Sequence, residues 1–148
     1  GKAKKGGGKR KRKVKKFDFK DLGDYQKQND EGAPEAAYTV RVTGHETKRN
    51  FLFSYNVYSV EVVQGRKAWT VYRTWNDFRD FHVKLEKALP GKKLPDIPPA
   101  KFFGSMDPDF VRKRGHDLEV YTNKLVQIKS VAQTSLLSYF LSHHKDED

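Results

Sequence analysis

The ionisable residues of this 148-residue chain favour binding of anions over catalysis. Lys and Arg number 30 against 19 Asp and Glu, which gives a formal net charge of +11. Ten of the basic residues fall within residues 1–16, which contain no acid, so the rest of the chain is nearly neutral. A cationic segment of this density is attracted to nucleic acid or to an anionic membrane surface.

No arrangement of side chains in the sequence indicates a catalytic or metal centre. The chain has no Cys, which excludes a disulfide framework and a thiolate metal site and fits a reducing, cytosolic setting. Its five His residues lack the spacing of metal ligands. The glycines at 6–8 lack the strand before and the helix after them that a phosphate-binding loop requires. We therefore expect a binding protein with no enzymatic activity and no cofactor.

Composition divides the chain into four parts. Residues 1–16 have almost nothing to bury and are expected to be disordered. Residues 17–35 are expected to be a linker with one docking turn near Phe17–Tyr25, residues 36–143 a single domain, and residues 144–148 a polar C-terminal end. Because the chain begins with Gly1, we expect an excised piece or a processed start. No apolar run approaches the roughly 20 residues of a membrane span, so any membrane contact is expected to be peripheral.

Three strands are predicted at the start of the domain. Alternating apolar residues indicate a strand from Tyr38 to about Thr43, and two more run from about Phe53 to Val63 and from about Ala68 to Arg73. Turn residues at 64–66 join the last two as a hairpin. Since helices do not alternate with these strands, an antiparallel sheet is expected.

After Thr74 the hydrophobic period changes from two residues to that of a helix. Thr74 or Asn76 can cap this helix, and Pro90 ends it. The prolines that follow, in LPDIPPAK, are incompatible with a helix and predict an extended, polyproline-type loop.

Two further helices are predicted towards the C-terminus. Asp107 as cap and Pro108 in the first position begin a long helix that reaches about Ile128. Thr134 or Ser135 begins a short terminal helix. Three strands and about three helices in this order predict an α+β fold.

Three short motifs in this order resemble the phox homology (PX) domain. They are the junction Arg73-Thr74-Trp75-Asn76-Asp77-Phe78, the loop Pro98-Pro99-Ala100-Lys101, and the helical pattern Phe110, Arg114, Leu118. The similarity covers about residues 36–143, and its specificity comes from the combination. It implies a module that binds the headgroup of phosphatidylinositol 3-phosphate between the strand end, the proline loop and the long helix.

The resemblance also implies a role for each site residue. In the family, two consecutive arginines precede an aromatic residue at the junction, and the second arginine clamps the 3-phosphate. Here Thr74 stands at that second position, while Trp75 is expected to stack under the inositol ring. Lys101 is expected to reach the 1-phosphate and Arg114 to fork across the ring hydroxyls. Arg73 is a further candidate for the headgroup site.

The substitution at Thr74 removes a charge from the expected site. A charged hydrogen bond contributes about 1.5–3 kcal/mol, so its loss should weaken headgroup binding by about 10- to 100-fold. Strand alternation turns Arg73 away from the pocket unless the strand has already ended. The basic residues that would compensate are Arg73, Arg41, Lys48, Arg49 and Arg112.

Two other segments have membrane-binding and alternative interpretations. Phe102 and Phe103 follow the loop lysine and either pack under the loop with Met106 or insert into a bilayer, as this tip does in the family. Segment 1–16 either has no specific role or serves as a nuclear-import signal, a nucleic-acid arm or a lipid-attracting segment. Beside a membrane-binding domain, attraction to lipid is favoured.

The leading hypothesis is a monomeric, cytoplasmic domain that binds a phosphoinositide headgroup and an anionic membrane surface, peripherally on endosomes. One alternative is a protein-interaction scaffold whose lipid pocket has lapsed and which holds a protein partner at the proline loop or at the sheet edge. The other is nucleic-acid binding through segment 1–16, which is the less favoured of the two.

Overall fold

The computed structural model describes residues 13–14, 16–28, 37–101, 104–142 and 146–147. Its first element, strand β1 (Lys13–Val14), pairs antiparallel with its last, β5 (Asp146–Glu147). Most of segment 1–16, the second half of the expected linker, and Phe102 and Phe103 lie outside the described residues. The expectations of disorder, linker and membrane insertion at those positions therefore remain predictions.

A three-stranded antiparallel sheet is the centre of the fold. It consists of β2 (Tyr38–Arg49), β3 (Ser54–Gln64) and β4 (Lys67–Arg73), in the order β2-β3-β4. The predicted α+β class with an antiparallel sheet is confirmed. β2 is twice as long as predicted, because after a bulge between Val42 and Gly44 it continues to pair with β3 as far as Arg49.

Five helices accompany the sheet in the part of the chain that the structure describes. They are α1 (Leu22–Gln28), α2 (Trp75–Ala88), α3 (Pro108–Val126), α4 (Lys129–Ala132) and α5 (Ser135–Ser142). α2 begins directly after β4 because Thr74 caps it. Asp107 is the N-cap residue of α3, as expected, but its side chain makes no capping hydrogen bond.

The core lies between one face of the sheet and the inward faces of α2, α3 and α5. Alternate residues of β3 supply Tyr58, Val60 and Val62 to it, as the period of a half-buried strand requires. The rings of Phe81 and Phe140 stack across the helices with centroids 4.2 Å apart. The other fully enclosed apolar side chains include Val40, Val71, Phe78, Leu85, Leu118, Leu125 and Leu137.

The segment before the sheet contributes to this core, at the place where the sequence predicts a docking turn near Phe17–Tyr25. Phe17 is buried, and its ring packs edge-on against Phe140 with centroids 5.5 Å apart. Tyr25 on α1 donates a hydrogen bond of 2.7 Å to Ser138 on α5. The helix α1 was not predicted, because the aromatic residues of this segment follow neither a helical nor a strand period.

α3 packs directly on β2 and closes part of its free edge. The side-chain amide of Asn123 donates to the Val40 carbonyl and accepts from the Val40 N–H, both at 2.9 Å. Glu119 accepts the N–H of Val42 at 2.8 Å. Close contact is possible because Gly115 has no side chain: a Cβ there would lie 3.1 Å from the Tyr58 ring.

Candidate functional site

A cavity of about 350 Å³ opens where the start of α2, the proline loop and α3 meet. Four of the five residues predicted to bind a headgroup line it, and they come from three separate segments: Thr74, Trp75, Lys101 and Arg114. Phe53 and the beginning of β3 form another part of the wall, the latter through Ser54, Tyr55, Asn56 and Tyr58.

Trp75 is the first residue of α2 and forms one wall of the cavity. Its indole Nε1 donates a hydrogen bond of 2.8 Å to the Pro98 carbonyl. Since an extended proline loop has few internal hydrogen bonds, its carbonyls are available to such donors. The bond fixes the ring plane against the loop and leaves a half-buried aromatic surface at the cavity.

Arg114 projects from α3 to the same wall. Its Nη2 donates to the Pro99 carbonyl at 2.8 Å, and its guanidinium carbon lies 5.0 Å from the centre of the Trp75 ring. Burial lowers the pKa of Arg114, while the nearby Tyr58 raises it in part. The fork is therefore partly desolvated and held in place, an arrangement suited to charged hydrogen bonds with an anion.

Lys101 contributes a more exposed cation on the loop side. Its Nζ lies 4.5 Å from the centre of the Phe110 ring, so the ammonium group makes a cation–π contact although the residue is exposed. Gly104 has a φ of 73°, and a Cβ at this position would lie 3.3 Å from Lys101 Cε. The glycine thus leaves room for the lysine where the loop turns back.

The polar groups of Thr74 cap the helix α2. Its hydroxyl oxygen accepts the Asp77 N–H at 3.1 Å, and its own N–H donates to Asp77 Oδ2 at 2.8 Å. This reciprocal pair is a capping box. Burial raises the pKa of Asp77, opposed by the hydrogen bonds from Thr74 and by the charge of Arg73. The cavity thus has a carboxylate behind Thr74 and no cation at the Thr74 position itself.

Arg73 does not line the cavity, so its inclusion among the headgroup residues is corrected. Its side chain is only 2% exposed, and its Nε and Nη2 donate to the Phe140 carbonyl at 3.1 and 2.9 Å. The guanidinium carbon lies 3.9 Å from the centre of the Phe17 ring. Because neighbouring strand residues face opposite sides, Arg73 enters the core, where burial lowers its pKa.

The four other compensating residues considered from the sequence also lie away from the cavity. Arg41 pairs with Glu61 on the sheet at 3.1 Å, and Arg112 pairs with a carboxylate one turn away on α3. Lys48 and Arg49 belong to the exposed end of β2. None of the four is among the lining residues.

The cation that sequence reasoning missed is Arg79 on α2. It lines the cavity, and its guanidinium carbon lies 5.6 Å from the centre of the Trp75 ring. The spacing of four residues between Trp75 and Arg79 puts both on one helix face. That spacing was the available signal, but Arg79 belongs to none of the three family-like motifs.

The rim of the cavity carries an apolar tip that was likewise missed. Phe51, Leu52 and Phe53 form the turn between β2 and β3, with exposed fractions of 97%, 77% and 59%. Phe53 also lines the cavity, as does Met106. Three consecutive large apolar residues at the start of the second predicted strand were the signal, since exposed runs of this kind mark contact surfaces.

The end of the basic N-terminal segment reaches the same rim. Lys16 Nζ lies 5.9 Å from the centre of the Tyr55 ring, which lines the cavity. Its charge also acts on Asp77 at the start of α2. Segment 1–16 therefore joins the domain beside the cavity.

The described ranges contain neither a metal-binding cluster nor a membrane-spanning helix. No cluster of three or more His, Asp and Glu side chains in them could hold a metal ion. Among the helices of the described part, none combines the length and apolar character needed to cross a bilayer.

Comparison with known proteins gives consistent matches to one family. A family model described as the PX domain matches residues 61–144. Human sorting nexin-13 is 27% identical over 93 residues, which are 60% of this chain and 10% of that protein. The rat serine/threonine-protein kinase Sgk3 is 31% identical over 94 residues, which are 63% of this chain and 19% of that protein. The chain spans less than a fifth of the length of these relatives.

Solved structures match the fold over most of their length. The X-ray structure of a designed CISK-PX domain is similar with a TM-score of 0.64 and 28% identity, covering 71% of this chain and 99% of that one. The mouse SNX19 PX domain with bound sulphate ion has a TM-score of 0.57 and 24% identity, covering 72% and 97%. The second match indicates a common fold only.

Proposed function

Because this chain belongs to the PX domain family, we propose that the cavity at Trp75 binds the phosphorylated inositol headgroup of a membrane lipid. PX domains are non-catalytic modules that typically bind phosphoinositides and membranes. In this chain Trp75, Lys101 and Arg114 would hold the headgroup, and Thr74 alters the subsite for the 3-phosphate.

The observation that carries the proposal is the preorganised wall formed by Trp75, Arg114 and the proline loop. Trp75 and Arg114 each donate 2.8 Å hydrogen bonds to adjacent loop carbonyls, those of Pro98 and Pro99. An aromatic surface beside a guanidinium fork and a lysine suits a polyhydroxylated ring that carries phosphate. Since these groups are already held by the loop, little ordering entropy is lost on binding.

The altered subsite predicts modest affinity for phosphatidylinositol 3-phosphate. The hydroxyl of Thr74 is engaged by the capping box, and the nearest acid is Asp77. Without a cation at this position, we expect affinity about 10- to 100-fold below that of a pocket with arginine there.

Membrane contacts outside the cavity would add to this affinity. The exposed tip at Phe51–Phe53 is suited to enter the bilayer interface beside the headgroup, and Phe102 and Phe103 are proposed to join it. Segment 1–16 would add electrostatic attraction, with each cation near the surface worth about 1 kcal/mol at best. Together these features support a peripheral location, for which endosomal membranes are the proposed target.

Vesicle sedimentation tests this function directly. Phosphatidylcholine vesicles with each phosphoinositide in turn should bring down the whole chain, and Arg114→Ala or Lys101→Ala should weaken binding about 10-fold or more. Arg112→Ala is the matched control for Arg114→Ala, because it removes the same charge from the same helix outside the cavity. Binding by no phosphoinositide, with or without residues 1–16, would refute the proposal.

Two variants separate the pocket from the accessory contacts. Deletion of residues 1–16 should weaken binding most at low salt, since screening reduces that contribution. Leu52→Ser should weaken vesicle binding but leave the affinity for a soluble headgroup unchanged. If deletion of 1–16 abolished binding while Arg114→Ala had no effect, segment 1–16 would be the binding element and nucleic acid would become a competing ligand.

A protein-interaction scaffold remains the second candidate, favoured by a groove of about 770 Å³ along the other side of the proline loop. Leu94, Ile97 and Val120 line this groove. The edge of β2 is less suitable for a partner strand, because Asn123 occupies the backbone groups of Val40. In a titration with soluble headgroup, chemical shifts of Trp75 and Arg114 that stay unchanged would favour the scaffold.

A further inference from the structure

The position of Arg79 suggests how this chain replaces the charge that is absent at Thr74. We propose that Arg79 binds the phosphate on the inositol ring, so that the ring phosphate lies across the face of Trp75 instead of at the cap of α2. This inference rests on the proposed function, and it adds a specificity-determining residue to it.

Helix geometry directs Arg79 towards the cavity. Trp75 and Arg79 are four residues apart and therefore share a face of α2, and helical side chains incline towards the N-terminus. The guanidinium accordingly reaches back over the indole, with its carbon 5.6 Å from the ring centre. Arg114 and Lys101 line the same cavity, and the guanidinium carbon of Arg114 lies 5.0 Å from the same ring centre. Trp75 is thus bordered by two guanidinium groups.

Arg79 is available to an incoming phosphate. Its side chain is 51% exposed, and its ion pair is with the adjacent Asp80, at 3.2 Å. An exposed pair of this kind contributes little stability, so exchange of Asp80 for a phosphate carries little cost. Arg114 differs in this respect, because the Pro99 carbonyl holds its Nη2.

Charge at the cap of α2 argues against a phosphate there. The Asp77 carboxylate lies directly behind Thr74 and accepts its N–H. Lys16 is the nearby exposed cation on that side, and its charge acts on Asp77. A phosphate near Arg79 avoids this carboxylate and gains a bidentate donor.

Calorimetric titration with soluble short-chain lipids tests the assignment. Phosphatidylinositol would be compared with its 3-, 4- and 5-phosphates, on the whole chain and on Arg79→Ala. We expect a loss of about 10-fold for the best ring-phosphorylated ligand and no loss for phosphatidylinositol. Lys101→Ala should lower both affinities. Arg79→Lys should lie between, because lysine retains the charge without the fork.

Arg66→Ala is the matched control, since Arg66 lies in the turn at the opposite end of β3 and its loss changes the net charge equally. Equal affinities for Arg79→Ala and Arg66→Ala would overturn the inference. If Arg114→Ala still weakened binding in that case, the proposed function would remain intact. A loss in Lys16→Ala without one in Arg79→Ala would also overturn the inference. Absence of an effect in Arg114→Ala and Lys101→Ala would refute the proposed function itself.

A second experiment measures the affinity of the same variants for free inositol phosphates and for vesicles. A loss for Arg79→Ala with both the free inositol bisphosphate and the corresponding lipid supports a contact with the ring phosphate. A loss confined to vesicles overturns the inference, because it would assign Arg79 to general attraction by the membrane surface.

Discussion

Arg73 and Arg114 occupy closely similar surroundings at two sides of the molecule. The guanidinium carbon of Arg73 lies 3.9 and 5.4 Å from the ring centres of Phe17 and Phe140. That of Arg114 lies 4.6 and 5.0 Å from the ring centres of Phe110 and Trp75. Each also donates to a backbone carbonyl, at the end of α5 in the first case and in the proline loop in the second.

The difference lies in what covers each group. Phe17, from the segment before the sheet, closes over Arg73 and leaves it 2% exposed. Arg114 is also largely buried, at 8% exposed, but it lines the cavity, which Arg73 does not. An arginine between aromatic rings is therefore a core residue or a binding residue according to the chain that packs on it.

Among the variants that test this comparison, Arg73→Ala is expected to have the largest effect on stability. Loss of its charged hydrogen bonds to the Phe140 carbonyl, together with the cavity left behind, should lower the free energy of unfolding by about 3 kcal/mol. Urea unfolding measures this, and headgroup affinity of the folded protein should stay unchanged. Arg114→Ala should weaken headgroup binding and leave the free energy of unfolding unchanged. The comparison fails if Arg73→Ala weakens headgroup binding at unchanged stability.

A smaller effect is expected from removing the Phe17 ring that packs on Arg73. Phe17→Ala should lower the free energy of unfolding by about 2 kcal/mol, because it removes a buried ring and its contact with the Arg73 guanidinium. Thermal or urea unfolding gives the value. Phe51→Ala is the control, since that ring is 97% exposed and its loss should change stability by less than about 0.5 kcal/mol. An unaltered stability for Phe17→Ala would show that the docking of this segment does not stabilise the domain.

Thr74→Arg tests whether a cation at the cap of α2 can bind a phosphate. A cation at the cap of α2 should raise affinity for phosphatidylinositol 3-phosphate about 10-fold, while loss of the threonine cap should lower stability by about 1 kcal/mol. Titration and urea unfolding measure the two changes. Thr74→Ala loses the same cap without adding a charge, so it serves as the control. Affinity that stays at the level of Thr74→Ala would show that no phosphate approaches this position.

The strand-to-helix junction was predictable from the sequence because burial there follows a regular period. Residues up to Arg73 alternate between core and solvent, and from Phe78 onwards the buried residues recur at helical spacing. The same alternation predicted that Arg73 turns from the cavity. The second half of β2 was not predictable in this way, because its residues from Gly44 to Arg49 are mostly exposed and show no regular alternation of burial.

The candidate site was predicted where it coincides with family-like motifs and missed elsewhere. Trp75, Lys101 and Arg114 were named because their motifs stand at recognisable positions. Arg79 and the tip at Phe51–Phe53 depend on where helix and turn geometry bring them in space. An isolated basic or aromatic residue has no distinguishing local pattern, so its approach to the cavity becomes evident only in the folded chain.

Gly115 has a consequence for how substitutions in this domain would be interpreted. It is the residue after Arg114, and a Cβ there would meet both the Tyr58 ring and, at 3.2 Å, Val42 Cγ1. The clearance between α3 and the sheet, and with it the reach of the arginine across the cavity, is set by the absence of one methyl group. A survey of variants would therefore score position 115 as part of the ligand site, although a glycine has no side chain to offer a ligand.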